Sequence, residues 1–99
     1  MRISVDLSCF SNGDDDLYRL FNGYRQFAQK ELFITLEPDS YHKLRELFRY
    51  LPKENILFYS TDEEKYDKIA KCESNTHFDT DANFLDKLCI QTYLLTEHY

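Results

Sequence analysis

Apolar and polar positions follow two different periods along this chain, and they predict strands that alternate with helices. Residues 3–10 begin with a period of two, which is typical of a strand with one buried face. Residues 31–36 and 56–59 are short apolar runs rich in branched and aromatic side chains, and each predicts a further strand. We interpret residues 56–59, which polar residues enclose on both sides, as the central strand of the sheet.

Apolar residues that recur at steps of three and four predict helices after these strands. The predicted helices cover residues 14–28, 41–51 and 62–72. Thr61 and Glu64 have the spacing of a capping box, which places the start of the third helix. That helix is expected to turn Tyr66, Ile69 and Ala70 toward the core.

The end of the chain is open to two interpretations. Residues 73–77 are polar and predict a loop that leaves His77 on the surface, and a last helix is expected over residues 82–89. Residues 90–95 are rich in residues that favour strands, so they could form a fourth strand. We favour a helix there.

Strands that alternate with helices of this length predict an α/β fold with right-handed crossovers between parallel strands. We expect a small, mainly parallel sheet of three or possibly four strands with three to four helices. The 99 residues are expected to form a single domain, 1–99. Ligands of such sheets bind beyond the carboxyl ends of the strands, so the acidic segments 11–16 and 60–64 are expected side by side at that edge.

Charge changes the picture of function more than any motif does. The net charge is −6, and residues 62–99 contain nine acidic residues against four lysines, which gives this segment a net charge of −5. Such a balance disfavours direct binding to nucleic acid and docking on an anionic membrane. A secretory signal and a membrane-spanning segment are not expected, and three widely spaced cysteines fit a reducing cytoplasm.

No catalytic motif can be recognised in the sequence. Two glycines are too few for a phosphate-binding loop, and neither a Cys-x-x-Cys nor a His-Glu-x-x-His zinc motif is present. Cys72, His77 and Cys89 could converge on a metal, but we interpret the cysteines as small core residues. We therefore expect neither enzyme activity nor a cofactor.

The strand segments carry a resemblance to a known family. The sequences VDLSCF at 5–10, LFIT at 32–35 and LFYS at 57–60, with a helix after the first two and an acidic segment after the third, resemble small immunity proteins of bacterial contact-dependent growth inhibition systems. Element order, size and acidity are also similar to the barstar family of ribonuclease inhibitors. The resemblance implies a cytoplasmic, non-enzymatic protein that binds a toxic nuclease domain and blocks its active site.

The residues expected to contact such a toxin are carboxylates and two aromatic rings in the second half of the chain, which we call the acidic docking surface. They are Asp62, Glu63, Glu64, Tyr66, Asp67, Glu73, Phe78, Asp79 and Asp81. A nuclease presents a basic groove to phosphate, so an acidic surface can occupy that groove and speed association. Several of these acids also lie where a helix N-terminus favours negative charge for stability alone.

Two other functions share these features. An inhibitor encoded by a phage, such as an anti-CRISPR protein that mimics nucleic acid, would have the same acidity. A small structural or adaptor subunit could instead pack its apolar segment 88–95 against a second copy of itself. The neighbouring gene separates the first alternative from an immunity protein, and a monomer in solution counts against the second.

Overall fold

The computed structural model describes residues 2–10, 32–40 and 51–95. The predicted helix over residues 14–28 and nearly all of the one over 41–51 lie outside the described residues. The acidic segment 11–16 lies outside them as well. Among the described residues, no helix combines the length and the apolar character needed to cross a membrane.

The described residues form an α/β fold around one parallel sheet. Its strands are β1 (Ile3–Asp6), β2 (Leu32–Leu36), β3 (Ile56–Phe58), β4 (Thr76–Asp79) and β5 (Gln91–Leu94). They lie in the order β3-β2-β1-β4-β5, and every neighbouring pair is parallel. The predicted α/β class and parallel sheet are confirmed.

The prediction of three or possibly four strands is wrong, because the described sheet contains five. β4 comes from a segment that was predicted to be loop, since Thr76, His77 and Asp79 are polar and yet buried. Residues 91–94 form a strand, so the strand interpretation of that segment is correct and the favoured helix is wrong.

The prediction that residues 56–59 form the central strand is also wrong. β3 lies at an edge of the described sheet, where Ile56 is buried and Leu57 and Phe58 are only partly covered. The centre is β1, whose last three residues are all buried although two of them are polar. Its neighbours cover it on both sides, and its polar side chains find partners there.

Helix α1 (Asp62–Lys71) begins and ends where the sequence predicts. The Thr61 hydroxyl accepts from the Glu64 N–H at 3.2 Å, while the Glu64 carboxylate accepts from the N–H of Ser60 rather than that of Thr61. The helix ends because Glu73 adopts a left-handed φ of 56°, and the Ser74 N–H then bonds to the Ile69 carbonyl.

The last predicted helix is much shorter than expected. Helix α2 (Ala82–Leu85) is a single turn, capped by an Asp81 carboxylate that accepts from the Phe84 N–H at 3.2 Å. The described residues also contain short 3-10 segments, among them Leu7–Cys9 after β1 and Lys53–Asn55 before β3. The sequence had predicted that the first strand would continue through Cys9.

The order of the strands reverses at one place in the sheet. The chain passes from β1 to β2 and β3 on one side, and α1 then leads back to β4 on the other side of β1. The strand order therefore reverses between β1 and β4. Ligands of open α/β sheets bind at such a reversal, outside the carboxyl ends of the strands.

Candidate functional site

Two carboxylates and a lysine meet at this reversal point, and we call them the Asp6–Lys65–Asp79 cluster. Asp6 is the last residue of β1, and Asp79 is the last residue of β4. The Lys65 Nζ lies 3.1 Å from Asp6 Oδ1 and 2.6 Å from Asp79 Oδ2. The exposed fractions of Asp6, Lys65 and Asp79 are 5%, 4% and 1%. One buried ammonium thus holds two carboxylates together.

Electrostatics favour the charged forms of Lys65 and Asp79. Burial by itself would lower the pKa of Lys65, but Asp6 and Asp79 outweigh it and raise that pKa above the ordinary 10.5. Burial would likewise raise the pKa of Asp79, but hydrogen bonds from His77 and Lys65 hold it below the ordinary 3.8. Burying three charges is costly, and pKa perturbations of this kind concentrate at functional sites.

Helix α1 brings Lys65 to the cluster through a regular helical stripe. Lys65, Ile69 and Cys72 follow one another at steps of four and three, and all three are buried. The Lys65 Nζ lies 4.1 Å from the ring centre of Phe84 and 4.8 Å from that of Tyr59, within range of cation–π attraction. Ile69 points inward as predicted.

Not all of α1 follows the prediction. Ala70, which was expected to face the core, is exposed. Lys65 occupies a buried position of the stripe at which hydropathy alone predicts an apolar residue.

The Asp6 carboxylate has one enclosed oxygen and one that faces the surface. Its Oδ1 accepts from the hydroxyls of Thr35 at 2.8 Å and Tyr59 at 3.0 Å. Its Oδ2 accepts from the backbone N–H of Ser8 at 3.1 Å and from the Ser8 hydroxyl at 2.6 Å. Ser8 is exposed and accepts from the Thr80 hydroxyl at 2.7 Å. The Oδ2 oxygen therefore lies on the side of the exposed Ser8 side chain.

The Asp79 carboxylate is enclosed on both oxygens. Its Oδ1 accepts from the N–H groups of Thr80 at 2.8 Å and Asp81 at 3.1 Å. Its Oδ2 accepts from Lys65 and lies 2.9 Å from the His77 Nε2. Four donors therefore fix this carboxylate, and it serves as an anchor for Lys65 rather than as a group that meets a substrate.

His77 links Asp79 to Ser4 in a Ser-His-Asp arrangement. The Ser4 Oγ lies 2.7 Å from His77 Nδ1, and His77 Nε2 lies 2.9 Å from Asp79 Oδ2. A serine nucleophile must reach its substrate, whereas Ser4 and His77 have no exposed surface at all. The arrangement is therefore not a hydrolase triad. It also shows that the predicted surface position of His77 is wrong.

The acidic docking surface is only partly present as a surface. Six of its carboxylates are exposed: Asp62, Glu63, Glu64, Asp67, Glu73 and Asp81. Asp79 is buried in the cluster, so the expectation that it contacts a partner does not fit its position. Asp67 is 2.9 Å from Lys71, and Glu73 is 3.9 Å from Arg2, so these two acids already have neighbouring cations.

The two aromatic residues of the acidic docking surface are half-buried. Tyr66 stacks on Phe84 with ring centres 4.2 Å apart, and its hydroxyl donates to the Phe84 carbonyl at 2.8 Å. Phe78 stacks on Tyr93 with ring centres 4.9 Å apart. Both rings thus contribute to packing between elements of the chain.

The cysteines offer neither a nucleophile nor a metal site among the described residues. Burial, with Asp79 and Asp6 nearby, raises the pKa of Cys9 to about 12, so its thiol stays protonated. Cys72 is buried as predicted, but Cys89 is exposed, so its predicted core position is wrong. In the part of the chain that the structure describes, no group of three or more His, Cys, Asp or Glu residues could hold a metal ion.

The sequence analysis missed Asp6, Lys65 and His77 as site residues. A signal for the two aspartates was present, since each ends a short strand and a hydroxyl-bearing residue follows within two positions.

Searches of protein-family models, of curated proteins and of solved structures each found no match for this chain. Its function is therefore inferred from the geometry of the cluster.

Proposed function

We propose that this chain hydrolyses or transfers a phosphoryl group, with Asp6 as the nucleophile. The observation that carries the proposal is a buried pair of carboxylates at the reversal point of the sheet. The Lys65 Nζ joins them, at 3.1 Å from Asp6 Oδ1 and 2.6 Å from Asp79 Oδ2. Three buried charges at the position where open α/β sheets bind ligands favour a chemical role.

The protonation states favour phosphoryl chemistry over glycoside hydrolysis. A glycosidase needs one carboxyl group that stays protonated so that it can act as the acid. Here Lys65 contacts both carboxylates, and the pKa of Asp79 is lowered, so these contacts favour the ionised forms. An ionised aspartate can attack phosphorus to form an aspartyl phosphate, and a lysine is a common ligand of phosphate oxygens.

The proposed reaction has two steps. In the first, Asp6 Oδ2 attacks phosphorus, the bond from phosphorus to the leaving oxygen breaks, and its electron pair departs with that oxygen. In the second, water attacks the same phosphorus, the bond from phosphorus to Asp6 Oδ2 breaks, and its electron pair returns to the Asp6 carboxylate. The released inorganic phosphate carries away the oxygen and both hydrogens of that water. Lys65 stabilises the negative charge on the phosphoryl oxygens, and Ser8 and Thr80 donate to them.

The proposal is tested with p-nitrophenyl phosphate, whose leaving group departs as an anion and needs no proton from the protein. We expect p-nitrophenol release in the presence of Mg²⁺, since phosphoryl substrates commonly reach enzymes as magnesium complexes. We also expect borohydride reduction during turnover to convert Asp6, and no other aspartate, to homoserine in a peptide mass map.

The control for this experiment is Asp67→Asn, because Asp67 is exposed and pairs with Lys71 on the same helix. Its rate and its reduced peptide should match those of the unaltered protein. No turnover of p-nitrophenyl phosphate or of acetyl phosphate, together with no modification of Asp6, would rule out the proposed reaction.

A second candidate function is the immunity role, in which the chain binds and neutralises a basic toxin domain. The observation that favours it is the exposed first turn of α1, where Asp62, Glu63 and Glu64 lie together. This candidate needs no chemistry at the Asp6–Lys65–Asp79 cluster. It relies on an electrostatic attraction that raises the association rate.

Reversal of two charges tests the second candidate. We expect Asp62→Lys with Glu63→Lys to slow association with a purified basic nuclease domain from the neighbouring gene by about 10-fold or more at low salt. The matched control is Asp39→Lys with Glu54→Lys, which changes two exposed acids elsewhere and gives the same net charge. Equal association rates for both variants would show that the α1 acids form no specific contact.

A further inference from the structure

Four short contacts connect Asp79 to the Thr76 carbonyl through the interior of the protein. Asp79 Oδ2 lies 2.9 Å from His77 Nε2, and His77 Nδ1 lies 2.7 Å from Ser4 Oγ. Ser4 Oγ lies 2.8 Å from Ser74 Oγ, which lies 2.8 Å from the carbonyl oxygen of Thr76. All five residues are buried, so bulk solvent does not reach this chain of contacts.

The number of hydrogen atoms available to these contacts points to the state of His77. Counted at one hydrogen for each, the four short contacts take four hydrogens, and the longer 3.4 Å approach of Ser4 Oγ to the Thr76 carbonyl is left out of the count. Ser4 and Ser74 supply one each, the Thr76 carbonyl supplies none, and a neutral imidazole supplies one. A neutral His77 therefore leaves one short contact with two facing lone pairs and no hydrogen. An imidazolium supplies two hydrogens and completes all four contacts.

Two other states of these groups are less favourable. A proton on Asp79 would supply the fourth hydrogen, but Lys65, Thr80 and Asp81 all donate to that carboxylate and favour its ionised form. The other neutral tautomer of His77 would direct the Nε2 lone pair at the charged Oδ2 of Asp79. Both alternatives oppose the electrostatics of the site, so the hydrogen belongs on His77.

We propose that His77 is an imidazolium in the folded protein and that it positions Asp79. Among the described residues, His77 contacts Asp79 on its own strand and Ser4 on β1, and its ring centre lies 5.6 Å from that of Phe84 on α2. Lys65 on α1 shares Asp79 Oδ2 with it and opposes a second positive charge. Asp6 and Asp79 together offset both cations.

This assignment makes the four buried ionised groups neutral in sum, with two carboxylates, one ammonium and one imidazolium. It also explains how Asp79 stays fixed while Lys65 bonds to Asp6 as well. His77 contacts Asp79 Oδ2, which is the same oxygen that Lys65 contacts. His77 is thus a positioning residue that acts through Asp79 and never meets a substrate. That catalytic consequence rests on the proposed phosphoryl function, whereas the protonation state does not.

The protonation state can be read from the ring nitrogens of His77 in nitrogen-15-labelled protein. At about pH 7.5 an ordinary histidine is mostly neutral. We expect both His77 nitrogens to show the shifts of protonated nitrogen, and both N–H hydrogens to exchange slowly with water. A His77→Gln variant assigns the signals, and the other histidines of the chain serve as references. One protonated nitrogen and one bare nitrogen on His77 would overturn the proposal.

Removal of a single hydroxyl provides a sharper test. Ser74→Ala deletes the last two contacts of the chain, so the Ser4 hydroxyl becomes free to donate to His77 Nδ1 and a neutral ring satisfies what remains. We expect the loss of the second ring N–H signal at the same pH. The matched control is Ser60→Ala, an exposed serine outside this chain of contacts, which should leave both N–H signals in place.

Retention of both N–H signals in Ser74→Ala would show that the hydrogen count does not set the state of His77. Neither spectrum depends on turnover, so the outcome is independent of the phosphatase assay. An imidazolium in a protein without phosphatase activity would leave this proposal standing and remove only the phosphoryl function. A neutral His77 in an active enzyme would overturn the imidazolium proposal and leave the phosphoryl function standing.

Discussion

Replacement of Lys65 by methionine is expected to destabilise the fold by about 3–5 kcal/mol, because the change leaves two buried carboxylates without their shared cation. Methionine keeps much of the length and apolar surface of the lysine stem, so the contacts with Phe84 and Tyr59 are largely retained. The loss therefore reports on charge rather than on packing. Denaturant unfolding followed by circular dichroism measures it.

Lys68→Met on the same helix is the matched control. Lys68 is exposed, so its replacement should change the free energy of unfolding by less than about 0.5 kcal/mol. If both variants unfold at the same denaturant concentration, the carboxylates do not depend on Lys65 in the folded protein.

The effect of Lys65→Met should also depend on pH in a defined direction. Asp79 has a lowered pKa, so it contributes stability above its ordinary value of 3.8, and this contribution is lost as pH falls through the lower folded value. In the variant, protonation relieves the unpaired buried charges. The difference in unfolding free energy between the two proteins should therefore narrow as pH falls below 3.8.

Replacement of Asp6 by asparagine is expected to lower kcat for p-nitrophenyl phosphate by about 10³-fold or more, because an amide cannot replace the attacking carboxylate. The asparagine oxygen can still accept from Thr35 and Tyr59, and Lys65 keeps its 2.6 Å contact with Asp79, so the fold should survive. Steady-state rates are measured on protein whose circular dichroism matches that of the unaltered chain.

Asp79→Asn distinguishes the role of the nucleophile, Asp6, from that of Asp79, which anchors Lys65. Asp79 anchors Lys65 and takes no covalent part, so this variant should still give the borohydride-reduced peptide at Asp6 while its rate falls. Asp6→Asn should give no such peptide. Reduced peptide from Asp6→Asn, or equal rates for Asp6→Asn and the unaltered protein, would contradict the assignment of Asp6 as nucleophile.

Hydrophobic periodicity predicts the elements whose buried faces are apolar. The strand over residues 32–36 and the helix over residues 62–71 are found where the sequence predicts them, although Lys65 takes a buried position on the helix. β4 was missed because its buried residues include Thr76, His77 and Asp79, which hydropathy assigns to a loop. A strand that is buried through hydrogen-bonded polar groups leaves no apolar signal.

The candidate site was missed for the same reason. Counting the acids of residues 62–99 treats each as surface charge, whereas Asp79 lies in the interior beside Lys65. Burial of a charge depends on a partner that is distant along the chain, and no local pattern shows that partner. Only the order of the strands, which places β4 beside β1, brings Asp6 and Asp79 together.

The central position of β1 has a consequence for how the chain acquires its structure. Of the five strands, β1 leaves the ribosome first, yet one of its two hydrogen-bonded neighbours is β4, and Ser4 bonds to His77 at a separation of 73 residues. The buried polar side chains of β1 therefore lack hydrogen-bond partners until most of the domain has been synthesised. Pairings this distant make folding slow, so an incomplete chain would expose an unpaired, aggregation-prone strand edge during synthesis.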